Sequence, residues 1–235
     1  MKIMTFNIQH ALDYKNNVID TALFADKIRF HDADICGLNE VRGAGPIEGY
    51  TDQLSEIKDK LGFYGYFAEA IKVDGTSPYG NALVSRYPIK SAETVMIPDP
   101  IIKVPGRHYE TRCVLKAVIE SGKKDICVLV CHMGLTPAQR RNAVKTICKI
   151  IDNIDLPLIL MGDFNTTPDD KVLRPLYKRL KDTDEKASVR ALPTYASYDP
   201  KEKIDYIFYK GLNLKNISTI NEIYSDHFPI IAEFD

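Results

Sequence analysis

Residues 156–165 read Leu156-Pro157-Leu158-Ile159-Leu160-Met161-Gly162-Asp163-Phe164-Asn165. An uninterrupted apolar string stops abruptly at a polar tetrad. A string of this kind fits a strand covered on both faces, by helices or by a second sheet. The tetrad sits at the strand end, where backbone is free and the scaffold rigid, and ligand sites gather at such points. Gly, Asp and Asn also favour turns, so the tetrad alone is ambiguous. Asp163 and Asn165 are two apart and share a face on extended backbone.

The same pattern recurs along the chain. Strands are expected at residues 2–8, 33–38, 63–69, 81–85, 112–120, 125–131, 156–161, 204–209 and 229–234. Helical spacing joins Ile19, Leu23 and Ile28, then Leu54, Ile57 and Leu61. It returns in Val144, Ile147, Cys148 and Ile151, and in Leu173, Leu176, Tyr177 and Leu180. Thr136-Pro137 suits the start of the third helix, as cap and first-turn residue. No linker, repeat or composition break divides the chain. One α/β domain is expected over residues 1–235, with two packed sheets or one large sheet. Residues 96–109 hold three prolines and Gly106 and read as a long loop, with Lys103, Arg107 and His108 as candidate substrate contacts.

The chain has 235 residues, 31 Lys plus Arg against 32 Asp plus Glu, and a formal net charge of −1. That balance argues against a domain that grips nucleic acid by bulk charge. The five cysteines are odd in number, lack a CxxC pair and lie mostly in apolar runs, so they read as small buried hydrophobes. There is no apolar run long enough for a membrane span and no signal-peptide pattern, so the expected compartment is the cytoplasm. No obligate protein partner is evident. Neither an aromatic hairpin nor a basic amphipathic helix is visible, which argues against work at a lipid surface.

Polar residues cluster where the other apolar runs stop. Asn7 ends the first, Asn39-Glu40 the second, and His132 follows Cys131. Asp205 lies beside Ile204, and Asp226-His227 precedes the last run. Glu40, Asp226 and Asn7 are hard oxygen ligands that suit Mg²⁺, Mn²⁺ or Ca²⁺ rather than zinc. His132 and His227 can exchange protons near neutral pH, and Asp205 can hold His227 in one tautomer. Metal with His–Asp chemistry points to phosphate-ester hydrolysis.

In this order the residues resemble the endonuclease/exonuclease/phosphatase superfamily of deoxyribonuclease I-like phosphodiesterases. The matching pieces are Thr5-Phe6-Asn7-Ile8, Leu38-Asn39-Glu40-Val41, the segment from Gly80 to Ile89, His132, Gly162-Asp163-Phe164-Asn165, Ile204-Asp205-Tyr206-Ile207 and Ser225-Asp226-His227. The resemblance implies a four-layer α/β sandwich, two facing mixed sheets flanked by helices. It implies that Asn7, Glu40 and Asp226 are metal-site residues and that His227 is the general base oriented by Asp205. Asp163 and Asn165 would position the attacking water and hold the phosphate. Arg112 and His132 would bind phosphate, and Glu69 stands where a carboxylate would orient His132.

Two features depart from the family pattern. Asn39 replaces the usual glutamine, and the absence of Trp weakens an abasic-site repair role. The expected function is a divalent-metal-dependent phosphoester hydrolase, foremost a phosphodiesterase. Its substrate would be a small phosphodiester, a sugar or inositol phosphate, a phospholipid headgroup or nucleic acid. The alternatives are a nuclease acting on DNA and a non-catalytic binding relative. The retention of Glu40, Asp163 and His227 argues against the latter.

Overall fold

The computed structural model describes residues 1–122, 124–186 and 193–235. In chain order the elements are β1 (Lys2–Asn7), β2 (Leu12–Asp13), β3 (Val18–Ile19), α1 (Thr21–Phe30), β4 (Ile35–Arg42), α2 (Gln53–Leu61), β5 (Tyr64–Val73), β6 (Ser77–Ser85) and β7 (Ile89–Met96). They continue with β8 (Cys113–Glu120), β9 (Asp125–His132), α3 (Pro137–Ile151), β10 (Leu158–Asp163), α4 (Arg174–Tyr177), β11 (Lys181–Asp182), β12 (Asp205–Lys210), β13 (Leu214–Thr219) and β14 (Ile230–Phe234).

Each expected strand forms, with ends shifted by a few residues. The fourth helical pattern yields only one turn, α4, behind a short 3-10 segment. β7 and β13 were not anticipated. Their burial alternates between half-buried and exposed, so neither shows an apolar run. Thr136 and Gln139 form a reciprocal capping box at α3, with Pro137 in the first turn.

Among the described residues two six-stranded mixed sheets carry the fold, in the orders β13-β14-β1-β4-β6-β5 and β11-β12-β10-β9-β8-β7. Between them Ile3, Ile35, Leu83, Leu115, Val128, Val130, Ile159, Met161 and Ile207 form one core. On the outer face of the first sheet, Met4, Phe6 and Leu38 pack against Phe24 and Ile28 of α1 and Leu54 and Ile57 of α2. Leu129 and Leu160 on the outer face of the second pack against Val144 and Ile147 of α3. Four layers result, as the resemblance implied. Leu158–Asp163 is buried throughout because both faces of β10 are covered. All five cysteines are free and buried.

The register explains why the polar strand ends meet. β1 and β4 are parallel, which sets Asn7 beside Asn39. β9 and β10 are parallel, which sets His132 beside Asp163. β12 runs antiparallel to β10 and starts with Asp205 opposite Asp163. β14 runs antiparallel to β1, so the segment entering it brings Asp226 and His227 to the same edge.

Candidate active site

Asp163 is the hub of this edge. Its Oδ2 accepts from Asn7 Nδ2 at 3.2 Å and lies 3.4 Å from His132 Nε2 and 3.7 Å from His227 Nε2. Its Oδ1 accepts from Asn165 N at 2.8 Å. His227 Nδ1 meets Asp205 Oδ2 at 2.9 Å, so the dyad read from the sequence is formed and the Nε2 atom faces Asp163. Asn7 Nδ2 also donates to Glu40 Oε1 at 3.0 Å. Asn7 Oδ1 is turned away and accepts from Gln9 N, so a ligand role for Asn7 requires its amide to rotate.

The two imidazoles are pushed in opposite directions. Burial, Arg112 and His227 hold His132 well below the usual histidine value. Arg112 Nη1 lies 3.1 Å from His132 Nδ1. A guanidinium can only donate, so Nδ1 is the bare nitrogen, and a neutral His132 carries its proton on Nε2, toward Asp163. Burial opposes charge on His227, but Asp205 and Asp163 outweigh it and raise His227 to about 10. Burial pushes Asp163 up to about 7, with Asp205 and Glu40 adding to the rise. Burial also raises Asp226, with Glu40 contributing in the same direction. Opposed pKa values in adjoining groups are how one site separates proton donor from proton acceptor.

Glu40 sits at φ 61° where the β4–β6 register slips between Leu38 and Val41. A bulge there re-aims the side chain into the site. Tyr79 OH donates to Glu40 Oε2 at 2.9 Å. Asn165 holds φ 49°, donates from Nδ2 to Met133 O, and accepts at its carbonyl from Arg140. Behind these residues Asn39 bridges the two sheets. Its Nδ2 donates to Asn81 Oδ1 at 2.8 Å and Cys131 O at 3.2 Å, and its Oδ1 accepts from Asp163 N at 2.9 Å.

One expectation needs correction. Glu69 is exposed on β5 and does not orient His132. Both ring nitrogens of His132 face other groups, Arg112 and Asp163, and a bulge beside Glu69 shifts the β5–β6 register. Arg112 is present in the cluster, with Nη1 taken by Glu110 at 2.5 Å and by His132, and with Nε free of hydrogen bonds among the described residues. No spacing signal marks Tyr79, inside β6, or Tyr195, whose ring lies 4.8 Å from that of His227. Asn81 lies in the segment from Gly80 to Ile89, where the resemblance implies no role for it.

The donor set fits a hard divalent cation. Glu40, Asp163, Asp205 and Asp226 concentrate carboxylates without a thiolate ligand. Asp205 Oδ1 is buried and finds no hydrogen-bond partner among the described residues. Asp163, Asp205 and His227 present ligand atoms within 4.8 Å of one another and could hold a metal ion.

The model of the Endonuclease/Exonuclease/phosphatase family matches residues 4–227. The chain belongs to this family. Escherichia coli (strain K12) YbhP is 25% identical over 248 residues, spanning 99% of this chain and 95% of YbhP. The family member from Leptotrichia buccalis C-1013-b matches in structure with a TM-score of 0.81 and 24% identity, over 100% of this chain and 99% of the other. The Bacteroides thetaiotaomicron mannosyl-6-phosphatase Bt3783 matches with a TM-score of 0.77 and 18% identity, over 100% and 99%. These likenesses place the four-layer sandwich among endonuclease/exonuclease/phosphatase folds.

Proposed function

We propose that the protein is a divalent-metal-dependent phosphoester hydrolase, foremost a phosphodiesterase. The observation that carries this is the convergence of Glu40, Asp163, His132 and the His227–Asp205 pair at one edge of two clamped sheets. Asp205 fixes the His227 ring, leaving Nε2 to take a proton from water attacking phosphorus in line. Asp163 and Asn165 position that water and the phosphate. His132, held neutral with a proton on Nε2, donates to a phosphate oxygen. Arg112 adds positive charge at the rim.

Glu40, Asp226 and a rotated Asn7 are the residues we assign to Mg²⁺ or Mn²⁺, with Ca²⁺ as a third candidate. Metal binding there leaves the His227–Asp205 hydrogen bond intact, whereas binding between Asp163, Asp205 and His227 competes with it. When bound, the cation neutralises phosphate charge and favours loss of the proton from His227.

A phosphoester panel with Mg²⁺, Mn²⁺ or Ca²⁺ and an EDTA control tests the assignment. It includes bis-p-nitrophenyl phosphate, plasmid DNA, abasic duplex, sphingomyelin and inositol phosphates. It also includes mannose 6-phosphate, because Bt3783 bears that activity in its name. Metal-dependent turnover of at least one ester is expected. Turnover that survives EDTA, or none with any ion, overturns it. Asp163→Ala, His227→Ala and Glu40→Ala are each expected to lower kcat by about 10²–10⁴ on the best ester. Near-wild-type rates in any two would remove them from the mechanism.

A further inference from the structure

A cluster of exposed aliphatic and unpaired basic side chains lies beside the site rather than in it. The loop after β7 carries Ile101, fully exposed, Ile102, 81% exposed, and Val104, 57% exposed. Together with Leu135 they border a groove of about 1240 Å³ between this loop and α3. Arg107, Arg141, Lys145 and Lys149 line the same groove. Arg141, Lys145 and Lys149 follow the i, i+4, i+8 spacing and form one exposed stripe of α3. None of these four cations has an ion pair among the described residues.

The nearby acids are already matched. Asp99 pairs with Lys103 and accepts from Thr111, Glu110 pairs with Arg112, Asp152 with Arg179 and Asp170 with Arg140. The loop is also held in place. Asn142 donates to Pro98 O, Gln139 donates to Glu110 O, and Tyr109 OH accepts from Val104 N. An anchored aliphatic tip has therefore been set beside unpaired cations, in a chain whose formal net charge is −1.

We propose that this face docks on an anionic phospholipid surface, with Ile101, Ile102 and Val104 entering the headgroup boundary and the α3 stripe meeting the lipid charge. Exposed aliphatic side chains gain from leaving water, and basic residues at their flank gain from an anionic leaflet. Neither signal holds a protein firmly alone, and here the two share one groove. A nucleic-acid strand would use the cations equally. It would favour open aromatic faces for base stacking; of the rings that line the groove, Tyr109 is engaged by Val104 N and by Lys103 over its face, only His108 is left, and β-branched aliphatics occupy the tip. α3 does not itself insert, because its apolar residues Ala143, Val144, Ile147 and Ile151 are buried in the core; it offers only its basic face, and the exposed apolar side chains come from the loop.

The test is co-sedimentation with vesicles of phosphatidylglycerol, with phosphatidylcholine vesicles and a DNA duplex as comparison arms. Binding to phosphatidylglycerol that weakens with salt, and little binding to phosphatidylcholine, is expected. Arg141→Gln, Lys145→Gln and Lys149→Gln are each expected to weaken it about fivefold, and the triple variant about 100-fold. Ile101→Ser with Ile102→Ser should weaken it at least tenfold without altering salt sensitivity. All five positions are exposed, and unchanged thermal unfolding confirms that the variants fold. No vesicle binding at low salt, or binding that survives both sets, overturns the proposal. So does loss of DNA binding in the α3 triple variant when vesicles were never bound, which would assign the stripe to a nucleic-acid backbone.

Discussion

At the residue scale, the pairing of His132 with Arg112 instead of Glu69 changes what can be expected of each. Burial, with Arg112 adding to it, holds His132 neutral, so removing the guanidinium lets the ring protonate more readily. Arg112→Gln is expected to move the acid limb of the kcat/KM profile to higher pH. Glu69→Gln should leave turnover and that limb at wild-type values. A shifted limb in Glu69→Gln, measured under the same metal load, would restore the carboxylate pairing. His227 and Asp163 make a second pH prediction, for the metal-free protein. His227 binds its proton more tightly in the fold than in the unfolded chain. Its contribution is complete below its ordinary value of 6.5 and is lost as pH rises toward about 10. Asp163 acts in the same direction, losing its contribution between 3.8 and about 7. In EDTA, the Tm is therefore expected to fall from pH 6.5 to 10, and His227→Gln should flatten that slope. A Tm that rises over this range would contradict the charge distribution described.

At the element scale, strand ends were legible where an apolar run stops at a polar residue. Asn7, Asn39-Glu40, His132 and Asp163 all mark such stops, and covered faces make the runs continuous. β7 is not legible because Lys90, Ser91 and Glu93 interrupt it, and such interruptions are natural in an edge strand of the second sheet. Tyr79 carries no signal because a tyrosine inside a strand is ordinary, and the Glu40 bulge is what brings the two together. Gly162 illustrates a constraint that the string 156–165 did contain. It holds φ 136°, and a Cβ there would lie 1.9 Å from Cys131 O. Conformation and space both exclude a side chain where β10 meets β9. Gly162→Ala is expected to destabilise by about 3 kcal/mol or more, read as a lower urea midpoint. A loss below about 1 kcal/mol would mean that the strand pair can separate at this point without cost.

At the scale of the whole molecule, the site depends on two sheets that touch through side chains rather than backbone pairing. Gly37 lets them approach, since a Cβ there would lie 2.8 Å from Met161 Cε and 2.9 Å from Val130 Cγ2. Asn39 then ties β4 to the second sheet, by donating to Cys131 O and accepting from Asp163 N, while also donating to Asn81. In the sequence Asn39 registered only as a departure from a family glutamine, because its partners are 42, 92 and 124 positions away. Each partner it leaves behind would be a buried polar group without a match, at about 1–3 kcal/mol apiece. Asn39→Ala is therefore expected to lower stability by about 3 kcal/mol in urea, with the m-value unchanged. It should also lower kcat, because Asp163 loses the acceptor of its backbone N–H. Asn81→Ala removes one arm of the Asn39 bridge together with the bond from Asn81 Nδ2 to Cys113 O, but leaves both bonds from Asn39 to the second sheet intact, and should cost less. The double variant should lose less than the two single losses added, since the arms share Asn39. Strict additivity, or full activity in Asn39→Ala, would show that apolar packing alone sets the distance between the sheets and that the bridge does not position Asp163.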